Sequence, residues 1–229
     1  MTATVSCRGL TRRYRQGAVE VTALDGLDLD VAPGEFLCLS GPSGSGKTTL
    51  LNLVGGLDRP TGGTVTVAGR RLDRMGPAEL AEMRLRHIGF VFQAYNLVPV
   101  LSAVENVEFV MLLQGVGRRE ARRRAAEILA EVGLSGLEDR RPGELSGGQQ
   151  QRVAVARAIV TNPDLVLADE PTANLDSATA EALMRLLQRM NRERGVTLVV
   201  ATHDPRVMEH ARRLVTLTDG RIVADRRVE

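Results

Sequence analysis

The sequence is poor in aromatic residues and has no tryptophan. Aromatic side chains make up 3% of its 229 residues, so the chain lacks the material for stacking platforms that bind single-stranded nucleic acid. Basic residues barely outnumber acidic ones, and the formal net charge of +2 gives no sign of an affinity for polyanions. We therefore expect an aliphatic core and no nucleic-acid partner.

Long apolar runs and signal segments are also missing. No apolar run approaches the roughly 20 residues that cross a bilayer, and residues 1–5 lack the basic and apolar regions of a secretory signal. The two cysteines, Cys7 and Cys38, lie in apolar segments, where we expect buried free thiols in a reducing compartment. These absences predict a cytoplasmic protein that reaches the inner face of a membrane only through a partner.

Strand-like and helical patterns alternate along the chain, which predicts an α/β fold with parallel strands and helical crossovers. Strands are expected at 5–10, 19–21, 27–31, 36–39, 64–67, 88–92, 165–168, 197–201 and 221–224. Helices are expected at 50–57, 102–114, 118–132, 149–160, 177–194 and 205–211. The helical stretch at about 94–160 is interpreted as an insertion into the α/β core, within a single domain of residues 1–229.

Lysine occurs once, at position 47, and the other 29 basic residues are arginines. Only the compact ammonium of lysine suits a site that approaches a single anionic group. Lys47 belongs to a glycine-rich segment that fits the pattern G-x-x-x-x-G-K-[ST] between a predicted strand and a predicted helix. That segment reads Gly41, Pro42, Ser43, Gly44, Ser45, Gly46, Lys47, Thr48 and Thr49.

This pattern predicts a phosphate-binding loop. Glycines let backbone N–H groups converge on phosphate oxygens, and the following helix N-terminus adds its positive dipole. Lys47 supplies a point charge, and Thr48 offers a hydroxyl to Mg²⁺. Asp169 and Glu170 follow the apolar strand at 165–168, where one carboxylate can reach the Mg²⁺ and the next can act as a general base toward water.

A third motif, Leu145-Ser146-Gly147-Gly148-Gln149, places a second Ser-Gly-Gly turn at the start of a predicted helix. With the phosphate loop and the acidic strand end, it resembles the ATP-binding cassette (ABC) ATPases, whose signature sequence is LSGGQ. The resemblance implies a P-loop NTPase core with an N-terminal antiparallel β-subdomain and an inserted helical subdomain. It also implies that two such subunits sandwich two ATP molecules, each signature serving the nucleotide of the opposite subunit.

Other positions match the family in order along the chain. Gln93 resembles the glutamine of the Q-loop, Asp176 lies in a segment like the D-loop, and His203 resembles the switch histidine. Tyr14 resembles the aromatic residue that stacks on adenine. The resemblance thus implies that Thr48, Gln93 and Asp169 hold Mg²⁺, while Ser146, Gly147, Gly148, Gln149 and Asp176 serve the nucleotide across a dimer.

The family implies the roles of the catalytic residues as well. Lys47 would neutralise the phosphates, Glu170 would position the attacking water, and His203 would contact the γ-phosphate. The residue sequence around Gln93 and Asp169 is most similar to that of the ATPases of lipoprotein-release and macrolide-efflux systems. The sequence therefore predicts the ATP-hydrolysing subunit of a transporter, a homodimer bound to a separate integral membrane permease.

Two alternatives remain at this point. An ABC ATPase acting on DNA or ribosomes would carry a long coiled coil or a second cassette, whereas Lys47 and Ser146 are 99 positions apart (146 minus 47) without sustained heptads. An ATPase that regulates a membrane protein without moving substrate is not distinguished by sequence. Segment 93–101, rich in aliphatic residues, is expected to receive a short cytoplasmic helix of the membrane partner, the other interpretation being that it packs inside the helical subdomain.

Overall fold

The computed structural model describes residues 3–17 and 19–228. Ten strands and seven α-helices follow one another among them as β1 (Val5–Gln16), β2 (Val19–Val31), β3 (Phe36–Ser40), α1 (Lys47–Val54), β4 (Gly62–Val67), β5 (Arg70–Arg71), α2 (Pro77–His87), β6 (Ile88–Val91), α3 (Ala103–Leu113), α4 (Arg118–Glu131), α5 (Gly147–Ile159), β7 (Leu165–Asp169), α6 (Ser177–Arg194), β8 (Thr197–Ala201), α7 (Pro205–Met208), β9 (Arg213–Thr218) and β10 (Arg221–Arg227). Residues 1, 2, 18 and 229 of the expected domain 1–229 lie outside the described residues.

The larger sheet has the strand order β10-β9-β3-β8-β7-β6. Its strands β9, β3, β8, β7 and β6 are parallel, and β10 closes one edge in antiparallel pairing with β9. Strands β3 and β8 are buried along their whole length, as parallel strands covered on both faces must be. The predicted α/β core is confirmed.

A second, antiparallel sheet has the order β2-β1-β4-β5. The sequence pattern predicted three short strands where the structure has the long hairpin β1–β2. Its register shifts at Gly9 and again near Arg12, and Gly9 and Gly26 have positive φ angles of 54° and 64°. Bulges at these places absorb extra residues, so pairing continues where the alternation of apolar residues breaks.

Helices α3, α4 and α5 lie between β6 and β7 in the chain, with no strand among the described residues 92–164. Buried aliphatic residues on the three helices pack with those of β7 and α6 in one core cluster, including Val107, Leu129 and Val153. This confirms the helical insertion. Strand β9 was not predicted, and the helix expected at 205–211 ends at Met208, because Ala211 already leads into β9.

The two cysteines lie in the cores, as predicted. Cys7 and Cys38 are free and 0% exposed, and burial raises the pKa of each thiol to about 12. Such thiols stay protonated and unreactive near neutral pH. Among the residues described, no helix combines the length and the hydropathy needed to cross a membrane.

Candidate active site

The glycine-rich loop joins the end of β3 to the start of α1. The Nζ atom of Lys47 donates hydrogen bonds to the carbonyl oxygens of Gly41 and Pro42, at 2.8 and 3.0 Å. Lys47 is only 7% exposed, and no carboxylate pairs with it in the part of the chain that the structure describes. The loop therefore holds a positive charge that an incoming anion can use.

Close packing explains why glycines fill this loop. A Cβ atom on Gly41, whose φ is +141°, would lie 2.1 Å from the carbonyl oxygen of Leu217 in β9. A Cβ atom on Gly46, the N-cap of α1 with φ +102°, would lie 2.5 Å from the carbonyl oxygen of Ala23 in β2. The loop thus contacts both sheets through its backbone. The Ser45 N–H donates to the Pro42 carbonyl oxygen at 3.2 Å, while the N–H groups in the first turn of α1 have no partner within the helix and can donate to a ligand.

Two glycines of the loop provide a matched test of this packing. Gly44 also has a positive φ, +80°, but a Cβ there would meet nothing within 4 Å. We expect Gly44→Ala to cost about 1–2 kcal/mol of unfolding free energy from backbone strain. Gly41→Ala should cost clearly more, because the loop must move away from β9 as well. Urea unfolding midpoints at unchanged m-value measure both, and equal midpoints for the two variants would contradict the packing.

Strand register brings the predicted acidic and polar residues to one edge of the sheet. Val91 pairs with Ala168, Asp169 with Ala201, and Leu39 with Ala201. The residues just beyond these pairs therefore emerge side by side at the carboxyl ends of four strands. They are Gln93 after β6, Glu170 after β7, His203 after β8, and the loop 41–48 after β3, with Asp169 as the last residue of β7.

Glu170 is held by two neighbours at this edge. Its Oε1 atom lies 2.7 Å from Nδ1 of His203, and its Oε2 atom accepts a hydrogen bond of 3.0 Å from the Thr202 hydroxyl. Its backbone has a φ of +46°, and its N–H donates to the carbonyl oxygen of Ala201. A non-glycine residue in this left-handed region is strained, and the surrounding strand ends hold it there.

Asp169 and the neighbouring loop offer oxygen donors to a cation. Burial raises the pKa of Asp169, while hydrogen bonding from the nearby Thr48 side chain opposes the rise. Ser45 Oγ is buried without a hydrogen-bond partner among the described residues, an arrangement that fits a ligand in the loop. The Thr48 hydroxyl and the Asp169 carboxylate are oxygen donors of the kind that suits Mg²⁺, and Gln93 follows the neighbouring strand β6.

Two buried polar residues that sequence reasoning missed, Gln151 and Thr202, also belong to this edge. Gln151 on α5 is 0% exposed, and its Nε2 atom donates to the carbonyl oxygen of Pro171 at 2.8 Å. The carbonyl oxygen of Gln93 accepts a 3.0 Å hydrogen bond from Asn174. Thr202 contacts Glu170 as described. The complete burial of Gln151 and Thr202 is visible only in the structure, although both residues adjoin motifs in the sequence.

The signature segment caps a helix away from the phosphate loop. Ser146 and Gln149 bond each other's backbone N–H groups at the start of α5, in a reciprocal capping arrangement. A Cβ on Gly148 would lie 2.3 Å from Thr179 Cγ2, and one on Gly147 would lie 2.8 Å from the Tyr95 hydroxyl. No hydrogen bond among residues 3–17 and 19–228 joins this segment to the loop 41–48.

Asp176 and Tyr14, both predicted nucleotide contacts, have partners within the chain. Asp176 caps α6 by accepting from the backbone N–H groups of Ala178 and Thr179, and hydrogen bonds from Thr179 lower its pKa. The Tyr14 hydroxyl donates to Asp58 at 2.8 Å, and the Arg12 guanidinium lies 4.4 Å from the centre of its ring. One ring face is thus covered, and the predicted stacking on adenine would use the other.

Comparisons with known proteins agree with this site. The profile of the family described as ABC transporter matches residues 24–173. The chain is 51% identical to the lipoprotein-releasing system ATP-binding protein LolD of Chromohalobacter salexigens, over 96% of this chain and 93% of that protein. It is 49% identical to the macrolide export ATP-binding/permease protein MacB of Syntrophobacter fumaroxidans, over 94% of this chain but only 30% of the relative.

A solved structure has the same fold. The ATP-binding cassette MJ0796, determined as a dimer in a post-hydrolysis state bound to ADP and Pi, superposes with a TM-score of 0.92. It is 41% identical in sequence, and the alignment covers 98% of this chain and 99% of that one. The similarity extends over both sheets and the helical insertion.

Proposed function

The chain belongs to the ABC transporter family of ATP-binding cassettes, and on that premise we propose that it hydrolyses ATP to power a separate membrane permease. The system is of the efflux or lipoprotein-release type, and the chain lies at the inner face of the cell membrane through its permease. Residues 1–229 act as one cassette. The observation that carries the proposal is the assembly of Lys47, Asp169 and Glu170 at one edge of the parallel sheet.

The loop binds the phosphates of ATP. The Lys47 ammonium contacts the β- and γ-phosphates and either breaks or keeps its hydrogen bonds to the two loop carbonyl oxygens. The N–H groups at the start of α1 donate to the same phosphate oxygens. Thr48, Gln93 and Asp169 would hold Mg²⁺, which would supply positive charge to the phosphates of ATP. A deprotonated Asp169 is required for this, and Lys47 and Thr48 both favour that form.

Glu170 acts on the water that attacks the γ-phosphate. Its carboxylate lies beyond Asp169 at the same strand end and carries a hydrogen bond to His203. The His203 side chain is 67% exposed, so it is free to turn toward the γ-phosphate of a bound nucleotide. A positioned general base of this kind contributes roughly 10²–10⁴ to the rate.

A second copy of the chain completes the site. Ser146 and Gln149 cap α5, and Gly147 and Gly148 approach Tyr95 and Thr179 of their own subunit. Since no hydrogen bond in the described part of the chain joins these four residues to the loop 41–48, we propose that they reach the nucleotide of the opposite subunit. Asp176, in the D-loop, also serves the nucleotide across the dimer, and Tyr14 stacks on the adenine. Because neither half is complete alone, hydrolysis depends on closure of the dimer.

An apolar groove of about 770 Å³ lies between α2, the end of α1 and α3. Among its lining residues, Leu57, Phe109 and Leu113 are 47%, 44% and 58% exposed, an unusual set of large apolar side chains to leave in water. We propose that the groove receives an apolar helix of the permease. Arg157 lines it too and binds the carbonyl oxygen of Tyr95, which connects the groove to the segment after Gln93.

Segment 93–101 has one side chain packed on the core and others exposed. Leu97 packs against the core cluster of the helical insertion, as the competing interpretation expected. Val98 lines the groove, and Val100, two residues further along the chain, is 73% exposed. Val100 is therefore the residue whose substitution tests docking without disturbing the core.

We expect Val100→Glu to keep ATP affinity and basal hydrolysis while losing most of the stimulation by the membrane subunit. A charge at an apolar contact would be desolvated without a partner. Val223, 61% exposed on β10, is the matched control, and Val223→Glu should keep full stimulation. ATPase rates with and without the permease measure this. Full stimulation of Val100→Glu would place docking elsewhere.

The proposed function is tested on the protein purified together with its membrane subunit in lipid vesicles. We expect phosphate release from ATP that stops when Mg²⁺ is chelated and that rises when the permease is present. Failure to release phosphate from ATP with Mg²⁺, both with and without the permease, would overturn the proposal. If hydrolysis rises with the permease but no substrate is moved across the vesicle membrane, the result would instead support the regulatory alternative.

A further inference from the structure

Thr202 is a buried hydroxyl at the catalytic edge with no assigned role. It follows β8 and is 0% exposed, and its backbone N–H donates to the carbonyl oxygen of Leu39 at the end of β3. The backbone of Thr202 is therefore fixed between two strands. Its side chain lies at the carboxylate of Glu170, at an Oγ1–Oε2 distance of 3.0 Å.

The direction of the Thr202 hydroxyl proton follows from its second contact. The N–H group of Asp204 donates to Thr202 Oγ1 at 3.0 Å, and Asp204 is itself fixed as the N-cap of α7 by a hydrogen bond from the Arg206 N–H. Since Oγ1 accepts from Asp204, its own proton is free to point at the carboxylate. Thr202 is thus a donor to Oε2 of Glu170.

The two oxygens of Glu170 consequently have partners of different mobility. Oε2 is bound by a fully buried hydroxyl on a strand end, and Oε1 by a histidine whose side chain is 67% exposed. Movement of His203 toward a nucleotide would release Oε1 alone. A carboxylate oxygen that keeps a hydrogen bond is also the weaker proton acceptor.

We propose that Thr202 is a positioning residue that holds Oε2 so that Oε1 of Glu170 takes the proton of the attacking water. In this step the water oxygen bonds to the γ-phosphorus, and its proton passes to Oε1. The bond between the γ-phosphorus and the bridging oxygen breaks, and its electron pair leaves with ADP. The inference rests on the proposed hydrolysis and adds the residue that orients its base.

Three variants at two threonines test the inference. Thr202→Val removes the hydroxyl at nearly constant shape, and we expect kcat to fall about tenfold, the scale of one hydrogen bond to a charged group, with KM for ATP unchanged. Thr202→Ser keeps the hydroxyl and should restore kcat. Thr197 is the matched control, since it is also buried but begins β8, at the opposite end of the strand from Thr202, and its hydroxyl contacts Thr4 and the Gly34 N–H.

Thr197→Val should lower thermal stability but leave kcat at the wild-type value. In single-turnover assays with ATP labelled on the γ-phosphate, adding Thr202→Val to Glu170→Gln should cause no further loss, because Thr202 acts through that carboxylate. A kcat for Thr202→Val equal to that of the Thr197→Val control, failed rescue by serine, or additive losses in the double variant would each overturn the inference. Absence of ATP hydrolysis by the wild-type protein would overturn the proposed function, and the inference with it.

Discussion

Replacing Glu170 with glutamine is expected to lower ATP turnover by about 10²–10⁴, the usual contribution of a positioned general base. The amide keeps the size of the side chain and can still accept the Thr202 hydrogen bond at one end. It cannot take a proton from water. ATP affinity should be unchanged, because Lys47 and the loop proposed to bind the phosphates are untouched.

The same variant should accumulate as an ATP-bound dimer, since closure no longer leads to hydrolysis. Size-exclusion chromatography with ATP and Mg²⁺ measures this as a shift from about 25 kDa, the mass of one chain, to twice that mass. Glu193→Gln, at an exposed position near the end of α6, is the control and should keep wild-type turnover. If Glu170→Gln hydrolyses ATP at a rate close to wild type, another group is the base.

The phosphate loop and the strand-end acids were predictable from the sequence because their chemistry is local. A loop that binds phosphate needs glycines, one ammonium and a helix start in consecutive positions, and these can be read from residues 41–48. Asp169 and Glu170 follow a fully apolar strand, so their place at its carboxyl end follows directly. The parallel sheet then brings them to the loop without further information.

Contacts that depend on tertiary packing could not be predicted. Thr202 and Gln151 look like ordinary polar residues beside motifs, and only the close approach of β8 and α5 to the Glu170 segment gives each a partner. Leu97 was expected to face a partner because its neighbours are apolar too. It packs against the helical core directly after Tyr95 and Asn96, whose left-handed backbone the sequence does not reveal.

Helix α5 links the proposed docking groove to the catalytic edge. At its start lies Ser146, Gln151 contacts the Pro171 carbonyl beside Glu170, and Arg157 donates to the carbonyl oxygen of Tyr95. Burial without an acidic partner lowers the pKa of Arg157. The backbone carbonyl oxygens of Tyr95 and Asn96, to which it donates, therefore compensate its charge. A displacement of the segment after Gln93 would therefore change the contact of Arg157 on α5, the helix that begins at the signature.

Replacing Lys47 with arginine should abolish tight ATP binding although the charge is kept. The ammonium lies between two carbonyl oxygens of its own loop, 2.8 and 3.0 Å away, on a side chain that is 7% exposed. A planar guanidinium is wider and spreads its donors over a fork, so it would have to displace the loop backbone. We expect the ATP dissociation constant to rise by about 100-fold or more, equivalent to roughly 3 kcal/mol or more, as measured by equilibrium dialysis.

Chemical labelling tests the same site without changing Lys47, because the chain has no other lysine. An amine-directed reagent should modify Lys47 slowly in the free protein, and saturating ATP should protect it, since the phosphates then occupy the loop. Arg192→Lys, at an exposed position of α6, provides an internal standard that should be labelled equally with and without ATP. Mass spectrometry of both lysines in that variant measures the protection directly. Equal labelling of Lys47 in the presence and absence of ATP would mean that the nucleotide does not reach this ammonium, and the loop would then have to bind its ligand in another way.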